Sequence, residues 1–92
     1  MKPSRIKELN YKHLYCFYMV EKNGGISKAA KEMKVSQPVV SSQIKELEKY
    51  LGFPLLEKDG RSVKSTKRGL DIFNYCEGIF FIGNKIFLER LI

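Results

Sequence analysis

Ile26-Ser27-Lys28-Ala29-Ala30-Lys31-Glu32-Met33-Lys34-Val35-Ser36-Gln37-Pro38-Val39-Val40-Ser41-Ser42-Gln43-Ile44 is the most informative stretch of this chain. Two helix starts lie inside it. Ser27 can N-cap a short first helix, and Ser36, with Pro38 in the turn that follows, can cap a second. Lys34-Val35 leaves room between them only for a tight turn. The small pair Ala29-Ala30 lets the two helices approach closely, so the stretch reads as a helix-turn-helix. In the second helix Val40, Ile44, Leu47 and Leu51 recur at helical spacing and should face inward, which puts Gln37, Pro38, Ser41, Ser42 and Lys45 on the other side. That outer face is short, polar and nearly free of acid. It suits a DNA major groove, where amides and hydroxyls bond base edges and a proline ring can touch a thymine methyl. Two ordinary packed helices with a solvated face would show the same spacing, so the rest of the chain has to decide.

Upstream, Asn10 reads as an N-cap, with Leu9 and Leu14 as a hydrophobic staple. Tyr11, Leu14, Phe17 and Tyr18 form one apolar stripe, expected in the core rather than as a base-stacking platform. Asn23-Gly24-Gly25 stops this helix, since glycine accepts the left-handed conformation of a helix end. Residues 1–8 are a basic lead-in, expected to be an idle terminus rather than a DNA-touching arm. His13 is the only histidine. Alone it cannot build a metal site, and it is expected at the surface or against a phosphate.

Downstream, the second helix should run to Tyr50 or Leu51, where Gly52 and Pro54 end it. Asp59-Gly60 between two short runs signals a hairpin, because both residues tolerate positive φ. Lys58, Arg61, Lys64, Lys67 and Arg68 crowd the tip and exit of this wing, placed to hold phosphates or enter a minor groove. Thr66 can cap a last helix from Lys67 to about Leu91, roughly 38 Å long at 1.5 Å per residue. Leu70, Phe73, Phe80, Phe87 and Leu91 follow three- and four-residue steps interrupted at Glu77 and Asn84, beside a second stripe of Ile72, Cys76, Ile79 and Ile86. Only a narrow polar face remains. One small domain cannot cover so much apolar surface, so the pattern predicts a homodimer through Leu70, Phe73, Phe80, Phe87 and Leu91, with Asn84 fixing the register. The alternative is packing against further parts of a longer chain.

The 92 residues allow one small domain, and a net charge of +7 with a pI near 9.5 favours a polyanionic partner. Cys16 and Cys76 sit in apolar helical patterns and read as buried thiols of a reducing compartment. Neither a signal peptide nor a membrane span is indicated, so a cytoplasmic protein is expected. With one histidine and scattered carboxylates, no catalytic constellation, metal site or cofactor site is expected. The fold class is mainly α: a winged helix-turn-helix with a three-helix core and a small two-stranded β wing over residues 1–65, then a long linker and dimerisation helix over 66–92.

Ala29-Ala30, then Val35-Ser36-Gln37-Pro38-Val39-Val40-Ser41-Ser42-Gln43-Ile44, then Leu47-Glu48-Lys49-Tyr50-Leu51-Gly52-Phe53-Pro54-Leu55-Leu56 resembles the N-terminal winged helix-turn-helix of the LysR-type transcriptional regulators. The resemblance runs from about Leu9 to the C-terminus. Asn10-Tyr11-Lys12-His13-Leu14-Tyr15 is similar to the opening of the sodium/proton antiporter regulator branch. The resemblance implies sequence-specific binding of double-stranded DNA by a homodimer on an inverted repeat. It implies contacts from Ser36, Gln37, Pro38, Ser41 and Ser42, with Lys58 and Arg61 serving the wing. Ser27, Lys28 and Lys45 complete the expected set. Gln37 is the candidate for base readout, because its amide can pair bidentately with adenine, while Ser36 and Lys45 suit phosphates. Ser42, Ser65 and Arg68 stand where family members often carry arginine, leucine and alanine. The family usually continues into an effector-binding domain of two α/β lobes, so the chain reads either as an excised DNA-binding domain, which an end in mid-pattern at Leu91-Ile92 favours, or as a short protein that binds DNA without sensing a small molecule. A small-molecule effector is expected only with that further domain. The rival reading, a helical dimerisation module without DNA binding, predicts no salt-dependent DNA affinity.

Overall fold

Three polar side chains start three of the four helices among the described residues. The computed structural model describes residues 9–91, with side-chain surroundings through residue 80. In it the Asn10 carboxamide oxygen accepts from the Lys12 and His13 amides, at 2.8 and 3.2 Å, and opens α1 (Tyr11–Asn23). The Ser36 hydroxyl accepts from the Val39 amide at 3.3 Å and opens α3 (Gln37–Leu51), with Pro38 in its first turn. Thr66 accepts from the Gly69 amide at 2.9 Å and opens α4 (Lys67–Leu91).

The exception is α2 (Ile26–Met33), which begins earlier than a Ser27 cap would allow. Ser27 lies inside its first turn and caps nothing. Gly25 stands at the N-cap instead, its carbonyl accepting from Ala29 at 3.1 Å while its own amide donates to Val20 at 3.0 Å. The end of α1 and the start of α2 are thus one joint, with Gly24 at φ 80° making the turn. A serine two residues later is already helical.

Lys34 ends α2 in the left-handed region at φ 59°, and the Lys34 and Val35 amides close onto Lys31 and Ala30 carbonyls at 3.2 and 3.0 Å. Gly52 ends α3 at φ 84°, donating to Glu48 at 2.8 Å. The wing is an antiparallel pair, β1 (Leu56–Asp59) and β2 (Ser62–Ser65), in the register Leu56 to Ser65 and Asp59 to Ser62. Its two turn residues are therefore Gly60 and Arg61, one place beyond the expected Asp59-Gly60 centre. Only Gly60, at φ 64°, has positive φ. Glycine at the first central position is the type II′ pattern, and it leaves Arg61 at the apex of the wing.

The core gathers around α1. Leu14, Cys16, Phe17, Tyr18 and Val20 are buried against Ala29 and Ala30 of α2, Val40, Ile44 and Leu47 of α3, Leu55 and Cys76. Leu9 packs on its edge, in keeping with the staple. Tyr11 does not join the core: it is 63% exposed, one turn ahead of the first buried position of α1. Both cysteines are free and buried. The Cys16 thiol donates to the Val40 carbonyl at 3.7 Å, and burial pushes both thiols up, Cys76 to about 11 with Glu77 adding to the effect. At neutral pH both are inert, neutral packing groups.

α4 is attached at two levels. At its start, Thr66 donates to the Pro54 carbonyl at 2.9 Å, the Thr66 amide donates to Leu55 at 2.9 Å, and Gly69 is buried where any Cβ would run into the Leu55 carbonyl oxygen. Two turns later, Phe73 stacks on Tyr18 at 5.4 Å, and Phe80 meets Tyr15 and Tyr18 at 5.1 Å each. Beside these rings the Tyr18 hydroxyl donates to Glu77 at 3.0 Å and accepts from Lys22 at 3.1 Å, with Lys22 and Glu77 3.6 Å apart. Tyr18 and then Glu77 hold the Lys22 ammonium above the ordinary lysine range.

Candidate nucleic-acid interface

The α1–α2 joint, the start of α3 and the far strand of the wing enclose one open groove of about 440 Å³. Ser27 and Lys28 line it from α2, Gln37 and Ser41 from α3, and Arg61, Ser62 and Val63 from the wing. No carboxylate is among its lining residues. Neither α2 nor α3 carries an acid in its first turn, so the positive dipole ends of both helices are left to favour an anion, while at α3 the Ser36 hydroxyl takes the Val39 amide and Pro38 has none to offer. The groove is thus electropositive through its backbone as well as through Lys28 and Arg61.

A second hollow lies behind the first, between α3 and β1, and shares Ile26, Ser41 and Val63 with it. Lys45 and Lys58 line it together with Glu48 and Glu57. These two acids are partly committed elsewhere. Glu48 accepts from the Leu55 and Leu56 amides at 2.7 and 3.2 Å, and Glu57 faces Lys64 across the strands at 4.0 Å. Among the described residues no ion pair neutralises Lys45 or Lys58, which flank the groove, while Lys64 has a carboxylate beside it.

Ser36, Pro38 and Ser42 are exposed on α3 outside both hollows. The Ser36 hydroxyl is engaged as the helix cap, which leaves its oxygen less free for a phosphate than the sequence alone suggests. Arg68, counted by sequence among the wing cations, stacks instead on Phe53 with 3.9 Å from guanidinium to ring centroid, beside Asp71 and Tyr75. His13 is half-buried in a separate hollow with Asn10, Glu46 and Tyr50, away from the groove.

The expected dimerisation residues divide as well. Leu70 is 44% exposed, but Phe73 and Phe80 turn toward α1 rather than outward. Asn84, Phe87 and Leu91 lie outside the described side chains. Tyr75 and Ile79, 72% and 44% exposed, are the other large apolar groups that α4 leaves uncovered among the described residues.

Sequence reasoning passed over several participants. Val39 is 40% exposed in the first turn of α3, a methyl-bearing side chain among polar ones, and Ser62 and Val63 complete the groove wall. Glu21, which accepts from Ser65 at 2.8 Å, and Glu48 hold the wing against α1 and α3. Glu21, 44 residues from Ser65, and Glu48, seven from Leu55, carry no local signature of that role in the sequence. Among the described residues no group of three potential ligands could hold a metal ion, and no helix is long and apolar enough to cross a membrane.

Comparison with known proteins agrees with this architecture. The RuBisCO operon transcriptional regulator of Allochromatium vinosum is 34% identical over 71 residues, 77% of this chain and 24% of that protein. Transcriptional activator protein NhaR of Escherichia coli is 27% identical over 81 residues, 88% of this chain and 27% of that one. The chain thus spans about a quarter of the length of these curated relatives. Among solved structures, the BenM DNA-binding domain in complex with catB site 1 DNA superposes with a TM-score of 0.79 at 30% identity, covering 89% of this chain and 91% of that one. The model of the bacterial regulatory helix-turn-helix proteins of the lysR family matches residues 11–70, most of the part whose geometry is described above, and this chain belongs to that family.

Proposed function

We propose that this chain is the sequence-reading part of a LysR-type transcriptional regulator, binding double-stranded DNA as a homodimer on an inverted repeat. The observation that carries the reading is the groove itself: Ser27, Lys28, Gln37, Ser41 and Arg61, from three separate elements, line one acid-free concavity bounded by two helix N-termini. The superposition on a DNA-binding domain held in a DNA complex supports it.

In this reading α3 enters the major groove. Gln37 pairs with adenine, Pro38, Ser41 and Ser42 meet neighbouring base edges, and Ser36 and Lys45 approach phosphates. Ser27 and Lys28 hold the backbone beside α2, while Lys58 and Arg61 carry the wing onto the backbone or into the minor groove. Residues 1–65 are the DNA-binding unit and 66–92 the linker and dimerisation helix. The exposed Leu70, Tyr75 and Ile79 support pairing through α4. The role is regulatory and non-catalytic, in the cytoplasm, with no cofactor of its own. A small-molecule effector enters only through a further domain of the whole protein.

The test is fluorescence anisotropy with a randomised duplex pool, titrated at several salt concentrations, with the bound fraction sequenced. Steep salt dependence and enrichment of an inverted repeat are expected. Absence of binding at low salt would overturn the reading.

A further inference from the structure

The α1–α4 junction has a feature that packing alone does not require. Tyr18, Lys22 and Glu77 form a closed polar triangle with sides of 3.0, 3.1 and 3.6 Å at the edge of the aromatic cluster. Tyr18 is 4% exposed and is clamped between Phe73 and Phe80, so its hydroxyl is aimed at a fixed point. Glu77 sits where the apolar stripe of α4 is interrupted. It costs the helix an apolar contact there and gains a directional one.

We propose that this clasp sets the angle at which α4 leaves the DNA-reading unit, and so selects the spacing between the two half-sites; the inference rests on the paired reading above. The geometry is that of a lever. Thr66 and buried Gly69 pin the start of α4 against the Pro54-Leu55 backbone, and that end acts as a pivot. Glu77 is eight residues beyond Gly69, about 12 Å along the helix axis, and Leu91 is about 33 Å beyond it. Slack of about 1 Å at the clasp therefore swings α4 by about 5° and moves its far end by about 3 Å, close to the ~3.4 Å rise of one base pair. Rings tolerate sliding and tilting at little cost, because stacked and tilted arrangements are similar in energy. A directional hydrogen bond between a buried hydroxyl and a carboxylate does not. Tyr18 and Glu77 are thus positioning residues: they touch no DNA and act through the direction of α4.

The experiment is a competition between duplexes carrying the selected inverted repeat with the spacer shortened or lengthened by one to three base pairs, beside a duplex with a single half-site. The wild-type chain is expected to prefer one spacer by about tenfold or more, the discrimination expected of a geometrically fixed pair. Tyr18→Phe keeps the ring and removes the hydroxyl, and Glu77→Ala removes the acceptor at a half-exposed helix position where the fold is not at stake. Both should cut the spacer preference to about threefold or less while single-half-site affinity stays within about twofold, the mark of lost pre-organisation rather than lost contact. Glu77→Gln, whose amide oxygen still accepts from Tyr18, should restore most of the preference. A purely structural role would lower the melting temperature and leave the spacer profile unchanged, which would overturn the proposal. A wild-type chain that binds DNA with no spacer preference would overturn the paired reading and the clasp's role with it.

Discussion

Two regions that meet on α1 face opposite demands. At the α1–α2 joint and the groove beside it, the polar side chains are mostly exposed, and the hydrogen bonds of the groove are largely caps and turn closures. At the α1–α4 junction the side chains are stacked, buried or tied to one another. The groove spends little of its chemistry on the fold, so its residues are free for a ligand, whereas the junction spends nearly all of its chemistry on geometry. Substitutions should separate along this line: groove changes should move DNA affinity and leave stability alone, and junction changes should do the reverse or alter geometry.

The largest effect is expected at Gly69. A methyl there meets the Leu55 carbonyl oxygen and lies 3.2 Å from both the Leu55 carbonyl carbon and Thr66 Oγ1, so backbone must move. Gly69→Ala should cost about 3 kcal/mol, the upper part of the range for overpacking, and lower the melting temperature by more than about 10 °C for a domain of this size. A melt within a few degrees of wild type would show that the junction is looser than its contacts imply. Gly78, also in α4 but open to solvent, is the control. Gly78→Ala should stabilise by about 0.5–1 kcal/mol.

Next comes the buried thiol of the same junction. Cys76 stays neutral in the folded chain up to about 11, against an ordinary value of 9.0. The folded state therefore holds its proton where the unfolded state has released it, so the contribution is complete below about pH 9 and is lost as pH rises toward 11. About 2–3 kcal/mol should disappear across that window, and Cys76→Ala should flatten this part of a urea-stability profile measured from pH 7 to 11. A profile as steep in the variant as in the wild type would assign the slope to other groups.

On the groove side the effects are smaller and appear in a different assay. Gln37→Ala should lose about 1–3 kcal/mol of discrimination at one base position with no change in melting temperature. Arg61→Ala, at the apex of the wing, should weaken all duplexes alike and reduce the salt slope by about one. If either change destabilised the fold by more than about 0.5 kcal/mol, the division between the two regions would fail.

The same division accounts for how far the sequence could be read. Caps and stops were legible because their chemistry is local: Asn10, Ser36 and Thr66 each bond an amide two or three residues on, and Gly24 and Gly52 take φ values that the side-chain-bearing residues rarely adopt. The groove residues were legible through their spacing on α2, α3 and the wing, five of the ten expected contacts lining one concavity. The junction was harder. Periodicity identifies Phe73 and Phe80 as one face of α4 but cannot say whether α1 or a second copy covers that face, and α1 does. Arg68 left the wing for Phe53, and Ser27 yielded its capping role to Gly25, because a joint with no spare residue starts the helix early. Gly69 gave no sign at all, since what it avoids is a carbonyl fourteen residues away in sequence.

The smallest expected effect tests whether the DNA side carries strain of its own. Lys34, in the turn between α2 and α3, is the one non-glycine residue with positive φ among those described, at 59°. A left-handed residue with a Cβ costs about 1–2 kcal/mol, partly returned when glycine's freedom in the unfolded chain is counted. Lys34→Gly should therefore stabilise by about 0.5–1 kcal/mol in urea unfolding while removing one positive charge from the turn that leads into α3. Lys34→Asn loses the same charge but keeps a side chain that tolerates the left-handed region, and so separates the two effects. If DNA affinity falls alike in both variants, the lysine was retained for its charge and the strain is its cost. If affinity falls only in Lys34→Gly, the stiffness of the turn itself orients α3, and the groove depends on local geometry as the junction does.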